Sequence, residues 1–117
     1  MPVRSLRSCV LKWPSRTEVL AELKSWVRTH AAKDDTVVRI GCFGSITDDT
    51  RWGVGSDLDM IVVVRTSPDR ARQTLTRDLT ALPVPVDLLV YSEEEWDAMK
   101  GRRFRTTVES SGLWLYA

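Results

Sequence analysis

The run Met60-Ile61-Val62-Val63-Val64, preceded by Asp57-Leu58-Asp59, constrains this chain more than any other feature. Four of its five residues are β-branched and none is polar. It therefore reads as a central strand covered on both faces, over residues 58–65, and not as a strand with one wet side. Such a strand needs neighbours at both edges and helices on both faces, which sets the rest of the chain a definite task.

The flanking sequence supplies those parts. Residues 8–13 read as a short extended segment stopped by Pro14, which lacks a ladder donor. Ser15-Arg16-Thr17-Glu18 matches a capping box, and Val19, Leu20, Leu23, Trp26 and Val27 then follow at helical spacing, predicting a helix to about Ala32. Residues 36–43 form a β-branched, apolar run that ends at Gly44-Ser45, the opening of a short helix. Ser67-Pro68 predicts an N-cap with proline at the first helical position. Ala71, Leu75, Leu79 and Leu82 mark the buried stripe of that helix, and Pro83 ends it. Residues 84–91 read as a third strand that carries Asp87 among apolar neighbours. Ser92-Glu93-Glu94-Glu95 is a second capping box, opening a helix through Trp96 and Met99, with a further piece around Phe104 and Val108. Gly112 is placed at its C-cap, before a short edge strand over residues 113–116. The expected fold is α/β (α+β): a small mixed sheet flanked by helices.

With 117 residues, 43% of them hydrophobic, the chain holds one core, so a single domain over residues 1–117 is expected. No apolar stretch approaches the ~18 residues of a membrane span, and the start lacks the apolar stretch of a signal peptide, which makes a cytoplasmic location the expectation. Cys9 and Cys42 are far apart and lack companions for a zinc site, so both are read as reduced and structural. Lys and Arg number 17 against 16 for Asp and Glu, which gives no general field for nucleic acid. The local basic cluster of Arg102, Arg103 and Arg105 reads as a solvated face.

The chemistry concentrates in three places: the Gly44-Ser45 turn after one strand, Asp57 and Asp59 entering the next, and the lone Asp87 in a third. Residues two apart on a strand face the same way, so Asp57 and Asp59 present two carboxylates side by side. Their mutual repulsion is relieved by a divalent cation, and Mg²⁺ favours one or two carboxylates together with substrate phosphates. Glycine lets backbone approach a phosphate closely, and Ser45 adds a hydroxyl donor. Asp87 is placed to complete a metal clamp and to take a proton from an attacking hydroxyl. Phosphoryl or nucleotidyl transfer is the reaction class that uses all three.

Gly44-Ser45, then Ser56-Asp57-Leu58-Asp59 leading into Met60-Ile61-Val62-Val63, together resemble the signature of the DNA polymerase beta nucleotidyltransferase superfamily; Val86-Asp87-Leu88-Leu89-Val90 resembles its third-carboxylate strand. The resemblance implies a nucleotidyltransferase fold in which Asp57 and Asp59 bind two Mg²⁺ ions. Asp87 binds one of them and assists the acceptor, and Gly44 with Ser45 holds the triphosphate. It implies transfer of AMP from ATP to a hydroxyl acceptor. The size and motif content are similar to minimal nucleotidyltransferase antitoxins paired with a helical HEPN-type ribonuclease toxin, which makes such a toxin the expected acceptor and partner. Nucleotidyl transfer to a small molecule such as an aminoglycoside, on a homodimer, is a second reading. A non-catalytic partner-binding module with this fold is a third. One departure stands out: eleven residues, 46–56, separate Gly44-Ser45 from Asp57, one more than the usual minimal pattern. The excess falls in a loop that holds Asp48, Asp49, Arg51 and Gly53-Val54-Gly55, and it bears on loop contacts such as those of Arg51.

Blander roles remain open for several residues. Asp57 and Asp59 are also turn formers, and Asp87 is also a candidate for pairing with Arg39 at a sheet edge. His30, the lone histidine, is given a place at a helix end or on the surface and no catalytic role. Trp13, Trp26, Trp96 and Trp114 read as packing residues, and Trp52 as loop packing ahead of base stacking. Asp48 and Asp49 read as solvated loop carboxylates, and Glu93, Glu94 and Glu95 as helix-start charges.

Overall fold

The computed structural model describes residues 13–116. Helix α1 (Arg16–Lys33) is followed by strand β1 (Val37–Phe43), a 3₁₀ turn (Gly44–Thr47), strand β2 (Leu58–Val64) and helix α2 (Pro68–Asp78). A second 3₁₀ turn (Leu79–Ala81) leads to β3 (Val86–Ser92), α3 (Glu93–Ala98), α4 (Arg103–Ser111) and β4 (Leu113–Tyr116). The sheet order is β3-β2-β1-β4. β2 runs parallel to β3 through the α2 crossover and antiparallel to β1, and β4 pairs antiparallel with the far side of β1. The mixed sheet expected from the sequence is therefore present, with β2 internal as its unbroken apolar run requires.

Alternation along the strands divides the core into two layers. Leu58, Met60, Val62 and Val64 of β2 face α1 and α2, packing with Ile40 and Cys42 of β1 and with Val19, Leu23, Trp26, Val27, Leu75 and Leu79. Ile61 and Val63 face the other way, against Trp96 of α3 and Val108 of α4, with Tyr91, Phe104 and Trp114 at the margins. Each fully buried valine or isoleucine of β2 contributes roughly 1.5–3 kcal/mol by leaving water, which is why this strand anchors both layers.

Local signals account for the helix starts. Both capping boxes form: the Ser15 and Ser92 hydroxyls accept from the Glu18 and Glu95 amides, and each glutamate accepts in return from its serine's amide. Each such cap is worth about 1 kcal/mol.

Several expectations need correction. Ser67 sits at the N-cap of α2, but its side chain makes no capping bond, and Pro68 alone sets the helix start. The helix ends at Asp78 and tightens into the 3₁₀ turn, so Leu79 is presented from a different winding than the stripe implies. β3 begins after Pro85, at Val86. Gly112 is the C-cap of α4 as expected, but with extended and not left-handed backbone; it is needed for room, since a Cβ there would run into the Val108 carbonyl oxygen. The extended segment expected over residues 8–13, and Cys9 with it, lies outside the described residues except for Trp13.

His30 stands in the last turn of α1, the helix-end place expected of it, but it also makes contacts that the sequence did not announce. Its ring stacks on Trp26, centroids 4.0 Å apart, and its Nε2 stands 3.0 Å from an Asp78 carboxylate oxygen, tying α1 to the end of α2. Among the described residues no helix is long and apolar enough to cross a membrane.

Candidate functional site

β2 and β3 are parallel and in register, which pairs Asp59 with Asp87. Register partners on adjacent strands share a face about 4.8 Å apart, so these two carboxylates leave the sheet side by side. They lie on the α3 and α4 side. Two and four residues further along β2, Ile61 and Val63 are fully covered by those helices, whereas Asp59 is half-buried and Asp87 exposed. The helical layer thus stops short of the strand starts and leaves the acidic end of the sheet open.

The neighbouring strand closes the other side. Phe43, last residue of β1, is the register partner of Asp59, and its ring meets Phe104 of α4 edge to face at 5.5 Å. The next residue, Gly44, has φ 77°, the left-handed region that glycine enters without strain. A Cβ there would collide with an Asp59 carboxylate oxygen, so the turn and the acid occupy adjoining space only because residue 44 lacks a side chain. Ser45 follows in the 3₁₀ turn, half-buried, its backbone carbonyl accepting from Asp48.

Asp57 falls one residue before β2, so strand alternation does not by itself fix its side chain beside Asp59. Its charge is nevertheless felt. Burial, then Asp87, then Asp57 push the Asp59 pKa above the usual carboxylate range, and Arg51 pulls it back. Asp59 is thus the centre of the group. The alternative of an Asp87–Arg39 pair fails on topology: β2 lies between β1 and β3, and Arg39 stacks over the Trp114 ring at 5.0 Å.

Among the described residues no three His, Cys, Asp or Glu side chains are gathered tightly enough to form a metal cage as they stand. The donor set nevertheless suits Mg²⁺. These are hard carboxylate oxygens on adjacent strands, held in mutual repulsion that a cation would relieve, and Mg²⁺ asks for only one or two carboxylates once substrate phosphates supply the rest.

The loop of residues 48–57 is braced by two long-range contacts and by one local turn. Arg16, in the first turn of α1, donates to the Ile46 carbonyl and pairs with Asp49 at 3.2 Å. Trp52 donates its Nε1–H to the Pro14 carbonyl at 3.1 Å, a packing role as expected. Asp48, read as solvated, accepts from the Thr50 amide and hydroxyl, which lower its pKa and fold the loop's first turn. The basic cluster is divided in the same way: Arg102 and Arg103 are exposed, while Arg105 lies over the Trp96 ring and donates to its carbonyl. Arg51 and Arg16 are the two residues whose place beside this site needed the fold to appear. Arg51 had a signal in its loop position; Arg16 had none, because its partners are 30 and 33 residues away.

No family model matches this chain, and no curated protein sequence matches it significantly. Its structure does resemble a solved one, a 1.40 Å crystal structure from Sulfolobus solfataricus whose assignment as a nucleotidyltransferase is itself provisional. The TM-score is 0.55 at 21% sequence identity, covering 73% of this chain and 77% of the other. At that identity the likeness establishes the fold, and the four-stranded mixed sheet with its flanking helices is a nucleotidyltransferase fold.

Proposed function

We propose that this chain is a Mg²⁺-dependent nucleotidyltransferase that transfers AMP from ATP to a hydroxyl of a partner protein. The observation that carries the reading is the in-register placement of Asp59 and Asp87 at an open sheet end, with Gly44 making room for the Asp59 carboxylate. A structural role gains nothing from such placement, since burial and the neighbouring carboxylate make Asp59 harder to ionise.

In this reading Asp57, Asp59 and Asp87 hold the metal, and Gly44 and Ser45 receive the triphosphate through close backbone approach and the serine hydroxyl. Two bound Mg²⁺ ions would supply neutralisation of phosphate charge and polarisation of the α-phosphate. Asp87, the more exposed of the strand pair, takes the proton of the acceptor hydroxyl as its oxygen bonds to the α-phosphorus. The bond from that phosphorus to the β-phosphate oxygen breaks, and pyrophosphate leaves with the electron pair. Phe43, the register partner of Asp59, and the Phe104 ring against it give that acid an apolar flank.

The open site favours an acceptor brought by another protein. The resemblance to minimal antitoxins makes a HEPN-type toxin, modified on a hydroxyl, the partner to test. Calorimetry of ATP with and without Mg²⁺, on wild type and Asp59→Asn, tests the nucleotide site without the acceptor. Mg²⁺-dependent binding lost in the variant supports the proposal. Absence of binding in the wild type would overturn it in favour of a non-catalytic module.

A further inference from the structure

The two edges of the sheet are treated differently. β3 is guarded: Pro85 stands at its start, and Arg72 of α2 reaches the Val90 carbonyl at 3.4 Å. Among the described residues β4 has no such guard. Its outer edge has no strand partner among the described residues, and Leu113 and Tyr116, at its two ends, are both 38% exposed. Of the three exposed large apolar side chains among the described residues, two are therefore on this one four-residue strand.

Beside that edge runs a groove of about 420 Å³, lined by Leu113, Trp114 and Leu115 of β4 and by Lys24, Val27 and Arg28 of α1. Lys24 and Arg28 are four residues apart on the helix, hence on one face, and both are exposed. Neither joins an ion pair among the described residues, although five such pairs form elsewhere. Among the described residues, an open ladder, an apolar floor and two cations without an ion pair are thus aligned along one edge.

The geometry points to β4 as a strand-addition site for an extended, acidic segment of a partner protein, which would join the sheet as its fifth strand. Backbone groups of β4 supply the ladder, the groove takes the partner's apolar side chains, and Lys24 with Arg28 meets its carboxylates. A lipid surface could not satisfy the ladder donors and acceptors. A second copy paired about a two-fold axis would place the same patch against itself, setting Lys24 and Arg28 against like charge. This surface is separate from the aspartates and stands whether or not the chain binds nucleotide.

The test uses an eight-residue peptide alternating glutamate with valine, and its lysine-valine counterpart, each titrated into the ¹⁵N-labelled full chain. The glutamate peptide is expected to shift the amides of Leu113–Tyr116 and of Lys24 and Arg28, leaving Val86–Ser92 unmoved. Lys24→Glu with Arg28→Glu, both exposed and compatible with the fold, is expected to weaken that binding roughly tenfold and to admit the lysine peptide instead. Shifts confined to β3, no binding by either peptide, or equal binding of both would overturn the assignment. So would concentration-dependent dimerisation in sedimentation that leaves the β4 amides protected from the peptide.

Discussion

The Asp59 carboxylate fills the space in front of Gly44 that any other residue's Cβ would claim. Gly44→Ala is strained twice over, by the left-handed backbone and by the collision. It is expected to cost about 1–3 kcal/mol of stability and to displace the Asp59 side chain. Urea denaturation reads the first effect. Mg²⁺–ATP calorimetry at a temperature where the variant is folded reads the second, with a larger fractional loss in affinity than in stability. Unchanged binding would show that the carboxylate and turn do not act together.

The raised Asp59 pKa has a sign that can be followed. An acid whose folded pKa lies above its unfolded value of 3.8 binds more protons folded than unfolded, so it lowers stability as pH climbs from 3.8 through the raised value, and the loss persists at neutral pH. Asp59→Asn is therefore expected to melt higher than the metal-free wild type at pH 7, with the difference shrinking as the pH falls below 3.8. Mg²⁺ should raise the wild-type melting temperature at pH 7 and leave the variant unmoved. A variant less stable than wild type at neutral pH would mean that Asp59 is a structural anchor.

How far the sequence carried depended on the range of the interactions. The apolar run of β2, the two capping boxes and the helical stripe of α1 are local, and each formed as read. The Asp59–Asp87 relation was legible only as a coincidence of motifs, because register between β2 and β3 is set by the α2 crossover and by core packing. His30 was placed correctly at the end of its helix, but its partner was missed for the same reason: Asp78 is 48 residues away, and no local pattern announces a helix-to-helix contact. Ser67 shows the converse, a correct local signal whose hydroxyl is not used.

Gly41 illustrates a packing constraint with no local signal. A Cβ at this position of β1 would stand 2.7 Å from the Trp114 ring and 3.0 Å from the Leu113 carbonyl oxygen. Gly41→Ala is expected to destabilise the fold by about 1–3 kcal/mol through overpacking. Trp114→Ala in the same chain should recover part of that loss, since it removes the atoms the methyl group meets. Additive effects in a double-mutant cycle would refute the coupling.

Burial pushes the Cys42 thiol up to about 11, outweighing the opposing influence of Arg16 and Lys24. Thiolate is the reactive form, so at pH 8 Cys42 is expected to be inert to a disulfide reagent in the folded chain and to react at once in denaturant. A Cys9→Ser background isolates the signal. Rapid native labelling would show that the core between α1 and β1 opens far more often than its packing implies.

Arg16 is the last link that fixes the site's loop. It carries a guanidinium from the first turn of α1 to the Ile46 carbonyl, at the back of the turn that begins with Gly44, and to Asp49 in the loop. Arg16→Ala leaves a part-buried carbonyl without its donor, at a cost of about 1–2 kcal/mol. Asp49→Asn removes only an exposed charge pair, and its effect on stability is expected to stay below about 0.5 kcal/mol. If the guanidinium acts by holding the turn, Arg16→Ala should weaken Mg²⁺–ATP binding more than Asp49→Asn does. Arg16→Lys, which restores charge but not the forked donor, should recover only part of it. Equal losses in the alanine and asparagine variants would place the effect in the Arg16–Asp49 pair and not in the support of Ile46.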